Sequence, residues 1–367
     1  MRFRIINYLS IFLLPSFLYC QLDTSWQEAP TINFWGYTEL FYIYDFNEPE
    51  QVQRQSFLFA HNRHHEFNLN IGLIGMELEH SKYRGRFAIH TGTYSEDNYA
   101  AEPGVLKNIY EAQIGLSLNR RNTLWLDAGI FPSHIGFESA ITSDNWTLTR
   151  SLAAENSPYY LAGAKMTWTP NENWEALVVV CNGWQLIQRV SGNSLLSLGT
   201  QLIYRPTSKS MFAWSTFIGT DDPDEQRRMR YFNSAFGQFE VSPRFNVVAG
   251  FDIGWQEMAP GSSEYHSWIA PTIVGQFLMN DTWSTALRFE YFGDSNGVII
   301  PTSNGRSFKT TGLSWNIDYA PNPLLMCRME TRLFTGPNAI FDNGADFSKS
   351  NFFWGASVAL KFETMSH

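Results

Sequence analysis

Alternation of apolar and polar residues is the feature that most narrows the fold of this chain. Near the C-terminus the even positions from Phe352 to Phe362 are apolar, and the odd positions from Phe353 to Lys361 are mostly small or polar. Successive side chains of a β-strand point to opposite faces, so this period of two predicts a strand with two unlike faces. The pattern recurs at 110–118, 245–256, 283–291 and 312–319. An all-β fold follows.

The composition favours a membrane as the surroundings of these strands. Charged residues make up 17% of the chain and aromatic residues 16%, whereas a soluble domain carries about 25% charged residues. A membrane helix needs ~20 mostly apolar residues, and the longest uninterrupted apolar run after the N-terminal segment is Ala176 to Cys181. A transmembrane β-barrel meets both conditions, because its lipid-facing residues are spread over alternate positions.

The N-terminus has the pattern of an export signal. Arg2 and Arg4 precede a mostly apolar stretch from Ile5 to Leu14, which is typical of a signal peptide. We predict a signal peptide over 1–20 and a single barrel domain over 21–367, with strands from about 31 to 363. A lipoprotein modified at Cys20 is the alternative, and the bulky Tyr19 before it argues against that. Loss of the two arginines changes the net charge from -9 to -11, and so acidic a chain is not expected to bind nucleic acid.

Turn-forming residues divide the chain into strands. Short turns rich in Gly, Pro, Asn, Asp and Ser fall near 81–82, 119–122, 170–173, 206–209, 242–244, 280–281 and 321–323. Longer polar segments fall near 46–64, 95–105, 133–158, 185–196, 220–229, 257–264, 294–306 and 335–348. The two kinds alternate strictly, which predicts an antiparallel up-and-down barrel of about sixteen strands. Its short turns would face the periplasm and its long loops the outside.

Five stretches resemble the OmpL-like β-barrel porin-2 family, which is common in Bacteroidota. They lie at 62–70, 127–138, 144–151, 154–160 and 182–184, the second reading Asp-Ala-Gly-Ile-Phe-Pro-Ser-His-Ile-Gly-Phe-Glu. The resemblance implies a porin of the bacterial outer membrane without naming its solute. We therefore predict passive diffusion of small hydrophilic solutes or ions through a water-filled lumen, with no cofactor. The alternative is a barrel with a closed lumen that binds or adheres through its outer loops.

The third long loop, about 133–158, is the candidate constriction. By resemblance to sixteen-stranded porins, it would fold into the barrel and narrow the pore. Its charged residues would then meet the lumen and set ion preference; they are Glu138, Asp144, Arg150 and Glu155. The alternative is a surface loop held by Trp146 and the pair Tyr159–Tyr160.

Charged and polar residues of the strands are expected to line the lumen. Arg84, Arg86 and His90 share one face of a strand whose other face carries Phe87 and Ile89. An Arg or Lys on the lipid face near the midplane would cost about 2–4 kcal/mol. The same argument predicts an inward position for the following residues: Glu111, Gln113, Arg288, Glu290, Arg328, Glu330 and Arg332.

Three further readings of the sequence are disfavoured. His61, His64 and His65 could ligate a metal, but we expect a loop-to-strand junction, since adjacent strand residues point apart. Asp221, Asp222, Asp224 and Glu225 lack the glycine and spacing of a calcium loop. An enzyme of the barrel wall would need Ser and His on the outer face, whereas His90 is expected to point inward, and we expect neither catalysis nor a metal site.

The expected partners follow from the barrel. They are outer-membrane lipid, small hydrophilic solutes and the outer-membrane assembly machinery, which would read the C-terminal strand ending on Phe362. A homo-oligomer is left open.

Overall fold

Sixteen antiparallel strands close into one barrel, which confirms the predicted fold class and strand number. The computed structural model describes residues 24–344 and 346–364, and the predicted signal peptide lies outside them. The barrel strands are β1 (Thr31–Asp45), β2 (Phe67–Glu79), β3 (Tyr83–Thr91), β4 (Ile109–Ser117), β5 (Leu124–Pro132), β6 (Tyr160–Asn171), β7 (Trp174–Cys181), β8 (Ser197–Thr207), β9 (Ser210–Gly219), β10 (Arg230–Ser242), β11 (Phe245–Glu257), β12 (Tyr265–Leu278), β13 (Trp283–Asp294), β14 (Phe308–Asn322), β15 (Leu325–Thr335) and β18 (Ser350–Glu363).

Short elements occupy the long connections. They are α1 (Thr93–Asn98), α2 (Leu152–Glu155), the two-stranded ribbon of β16 (Phe341–Asp342) and β17 (Phe347–Ser348), and single 3-10 turns at Thr24–Gln27, Gly104–Asn108, Thr142–Asp144 and Asp224–Gln226. Among the described residues, no helix is both long enough and apolar enough to cross a membrane.

Each barrel strand pairs with its neighbour in sequence, and β18 closes the barrel by pairing with β1 from Trp35↔Glu363 to Asp45↔Phe353. Short and long connections alternate as predicted. The proline within β12 interrupts the pairing of this strand with β13. Pro271 has no N–H to donate, and the register between β12 and β13 is interrupted between Ile269 and Thr272.

The two faces of the wall differ as the alternation predicts. On β13, Leu287 is 58% exposed and Phe289 55%, whereas Arg288 and Glu290, which alternate with them, are fully buried. The exposed apolar side is the one that would meet lipid, since burying it in hydrocarbon costs nothing. The buried side faces the interior of the barrel.

The interior is filled near the long-loop end. Inward aromatic residues such as Phe217, Phe232 and Trp268 belong to one apolar cluster with loop residues that include Phe57 and Ile300. The long loops therefore fold into the outer half of the lumen and share an apolar cluster with its wall. This differs from the expected polar lining, because inward Phe residues here contact loop side chains rather than water.

Candidate functional site

Residues 133–159, called the lumen segment below, connect β5 to β6 and cross the interior of the barrel. Thr142 Oγ1 lies 2.8 Å from Tyr37 Oη on β1. The carbonyl of His134 accepts a 2.7 Å hydrogen bond from Ser215 on β9, and Glu290 on β13 accepts one of 2.6 Å from the backbone of Leu152. These strands are spread around a closed barrel, so one segment can reach all three only from inside.

Four buried charges on β13 and β15 hold the middle of the lumen segment. Arg288 lies 2.8 Å from Glu330, and Arg332 lies 2.5 Å from Glu290. We call these four residues the anchor network. They also bind the segment's backbone, since Thr149 donates to Glu330 at 2.6 Å and accepts from Arg288 at 2.5 Å. Buried charges require such partners, and the lumen segment supplies them.

Arg328 fixes the preceding turn of the lumen segment. Its guanidinium pairs with Asp318 at 2.8 Å and donates to the carbonyls of Thr142 at 2.5 Å and Asn145 at 2.9 Å. The carboxylate of Glu39, a residue that the sequence reading missed, accepts from the Thr142 hydroxyl at 2.6 Å. Its position between outward Thr38 and Leu40 on β1 is the signal that could have revealed an inward acid.

Three of the four residues predicted to meet the lumen are buried inside the segment's own packing. Arg150 lies over the ring of Tyr159, with 3.7 Å from its guanidinium carbon to the ring centroid. It also pairs with Glu155 at 3.3 Å. Glu155 in turn accepts from the backbone of Phe59 at 2.8 Å. These contacts fold the segment and keep both charges out of water.

Glu138 and Asp144 have opposite surroundings. Glu138 accepts hydrogen bonds from both the backbone and the hydroxyl of Ser151. Burial raises its pKa, while Arg288 acts to lower it. Asp144 has 46% of its side chain exposed and pairs with Lys361 at 2.5 Å. Of the four predicted residues, Asp144 is thus the one with an exposed side chain.

The predicted wall residues of β3 and β4 lie on the inward face, and two of them reach water. Arg84 has 40% of its side chain exposed and pairs with Asp127 at 2.6 Å. Arg86 has 38% exposed and lies 3.2 Å from Glu111. Gln113 donates to Glu111 at 3.2 Å. Because Asp127 and Glu111 are buried, the guanidinium groups form the accessible surface, and we call Arg84 and Arg86 the basic wall.

His90 is separated from that accessible surface. It is 3% exposed, and its ring packs edge-on against Tyr99 with 4.6 Å between centroids. Neither ring nitrogen has a hydrogen-bond partner within the described residues. His90 therefore sits in an aromatic cluster under α1.

The disfavoured clusters have structural roles in the described part of the chain. His61 Nε2 lies 3.2 Å from Glu39, and His64 Nδ1 accepts from the backbone of Asp45 at 3.1 Å. Asp222 pairs with Arg228 at 2.8 Å, and Asp224 pairs with Arg227. No group of three potential metal ligands is found in residues 24–344 and 346–364.

A family model described as "Putative beta-barrel porin-2, OmpL-like" matches residues 31–362. This match confirms the resemblance suggested by the five sequence stretches. A comparison with curated proteins finds no match.

Solved structures of similar fold are outer-membrane proteins. An anion-selective porin from Comamonas acidovorans has a TM-score of 0.62 and 7% identity, over 91% of this chain and 100% of that one. The outer membrane channel DcaP of Acinetobacter baumannii has a TM-score of 0.59 and 11% identity, over 91% and 98%. The trimer form of OmpT from Vibrio cholerae has a TM-score of 0.59 and 7% identity, over 91% and 100%. At such identities the likeness concerns the fold.

Proposed function

Since the chain belongs to the OmpL-like β-barrel porin-2 family of the bacterial outer membrane, we propose that small hydrophilic solutes or ions diffuse passively through its lumen. One observation carries the proposal. In the described residues, the lumen segment makes no hydrogen bond to strands β2–β7, and the basic wall on that arc stays half exposed. Solutes would pass along the basic wall, where Arg86 and Lys361, the partner of Asp144, line one cavity. The family and the fold are those of a channel rather than an enzyme.

Recordings in planar bilayers test the pore directly. Folded protein should give reproducible current steps that are linear in voltage, as a water-filled lumen requires. Silence from protein that migrates as a folded barrel on unheated gels would contradict the proposal. It would favour the alternative of a closed barrel that binds partners through its outer loops.

The basic wall should set ion preference. Replacing Arg86 with Gln removes an accessible cation and leaves the negative charges of Glu77 and Glu111, so the ratio of anion to cation permeability should fall roughly twofold. Reversal potentials in a salt gradient measure this ratio. Arg86→Lys keeps the charge and should preserve it. Arg121→Gln, in an exposed turn outside the lumen, is the matched control, and an equal fall in that variant would rule out a specific role for Arg86.

The constriction by residues 133–158 belongs to this proposal, with Asp144 as its accessible charge. Arg150, Glu138 and Glu155 support it indirectly, because their buried contacts keep the segment folded. Charges that shape the field at a narrow point decide which ions pass. The acidic balance of the whole chain is a poorer guide, since much of it lies in outer loops.

Two further partners are proposed. The outer-membrane assembly machinery would read β18, whose outward residues Trp354, Val358, Leu360 and Phe362 are apolar and alternate with buried ones. A homo-oligomer is supported by polar groups on the outward face, where Thr200 and Thr216 bond at 2.7 Å and Asn233 accepts from Trp214 at 3.1 Å. Polar side chains facing hydrocarbon favour contact with another protein surface.

A further inference from the structure

A pocket of about 430 Å³ opens among the long loops, apart from the lumen segment. We call it the outer pocket. Loop 46–66, the end of α1, loop 295–307 and the β16–β17 ribbon surround it. Its lining includes four amide side chains and two half-buried aromatic rings. The residues that matter for its chemistry are Gln51, Gln53, Gln55, Asn62, Phe59 and Phe347.

Three of the four amides of the outer pocket hydrogen-bond to neighbouring groups. Both ends of the Gln55 amide bond the backbone of Asp342, accepting at 2.9 Å and donating at 3.1 Å. Gln53 donates to Asp97 at 3.3 Å, and the Asn62 carbonyl oxygen accepts from the backbone of Arg54 at 2.9 Å. An amide both donates and accepts, so fixed amides suit a ligand whose groups also do both.

Arg54 lies at the base of this pocket, but its guanidinium is not accessible from it. Its guanidinium is fully buried, pairs with Asp45 at 3.2 Å and stacks on Phe353 at 3.9 Å from the ring centroid. A ligand in the outer pocket therefore meets no accessible cation at Arg54.

The charges around the outer pocket disfavour an anion as that ligand. Asp45 offsets the charge of Arg54, and Arg63 pairs with Asp97 at 2.7 Å. Asp342 remains and adds a negative charge to the lining. A neutral ligand is therefore preferred over a phosphate or carboxylate.

We propose that the outer pocket binds a neutral saccharide of one or two rings at the outer mouth of the barrel. Hydroxyl groups match the amides of the lining, and the apolar face of a sugar ring suits Phe59 or Phe347. The volume falls within the ~300–1,000 Å³ of small-ligand pockets. Binding itself needs no open lumen, while its use in uptake rests on the proposed pore.

Calorimetric titration of the folded barrel in detergent tests this inference, with maltose and sucrose as probes and inorganic phosphate as the anionic comparison. At least one saccharide should bind, and Gln53→Ala or Gln55→Ala should weaken it about tenfold or more. Gln188→Ala, an exposed glutamine in another loop, is the matched control and should bind normally. Gln53 is exposed, so its variant tests the pocket even where Gln55→Ala misfolds.

The outcomes separate this inference from the pore. No saccharide binding, tighter binding of phosphate, or binding that survives both pocket variants would overturn the inference. Current steps in bilayers without saccharide binding would support the proposed pore function and contradict the saccharide proposal. Saccharide binding by a protein that never conducts would contradict the proposed pore function and support saccharide binding in the outer pocket.

Discussion

Deleting residues 135–157 and bridging the gap with about four glycine and serine residues should raise the single-channel conductance roughly threefold or more. A sixteen-stranded wall alone encloses a wide aqueous lumen, and the lumen segment occupies much of it. The ends of the deletion are close, because the backbone of Ser133 donates to that of Tyr159 at 2.9 Å. A short bridge can therefore replace the segment, and the freed anchor charges become hydrated rather than stranded.

The matched control shortens a loop that does not enter the lumen. Removing residues 259–263 from the exposed connection between β11 and β12 should leave the conductance unchanged. Equal conductance of the protein with and without residues 135–157 would mean that something other than the lumen segment limits the current. Gel mobility of unheated samples verifies that both shortened proteins fold.

Replacing Glu290 with Gln should release the lumen segment without deleting it. Glu290 lies 2.5 Å from Arg332 and 3.3 Å from Arg288, and it accepts from the Leu152 backbone at 2.6 Å. The variant leaves two buried guanidinium groups short of negative charge. Removing one member of a buried ion pair costs about 3–5 kcal/mol, and detaching the segment relieves that cost.

Trypsin reports the release, because Arg150 is the only lysine or arginine between positions 133 and 158. Its side chain is fully buried, so the native protein should resist cleavage there. In Glu290→Gln the rate of cleavage after Arg150 should rise about a hundredfold, in proportion to the open population. Glu240→Gln is the control, since Glu240 and Lys209 form an exposed pair worth at most about 1 kcal/mol. Unchanged resistance in Glu290→Gln would falsify the anchoring role.

The barrel could be predicted because its signals are local. Alternation and turn residues act over a few positions, so sixteen strands could be counted, including β7 and β12, where apolar residues occur on both faces. The inward positions of Arg288, Glu290 and Arg332 also follow locally, from the cost of placing charge against lipid.

The contacts of the loops could not be predicted in the same way. Arg150 and Glu155 read as charges in a polar loop, and only tertiary packing brings Tyr94 and Tyr159 against the guanidinium. Inward aromatic residues such as Phe334 and Phe353 likewise departed from a polar lining. They contact residues of distant loops, which the alternation of a single strand cannot reveal.

The distance in sequence between the lumen segment and its anchors fixes an order of events during biogenesis. Thr149 and Glu330 are 181 residues apart, and contacts between such remote residues form late in folding. The segment emerges from the ribosome and crosses the periplasm before β13–β15 exist as a wall. It can lock only after those strands are inserted. A half-built barrel therefore has nothing to hold the lumen segment, and protection of Arg150 from protease would mark the moment at which insertion is complete.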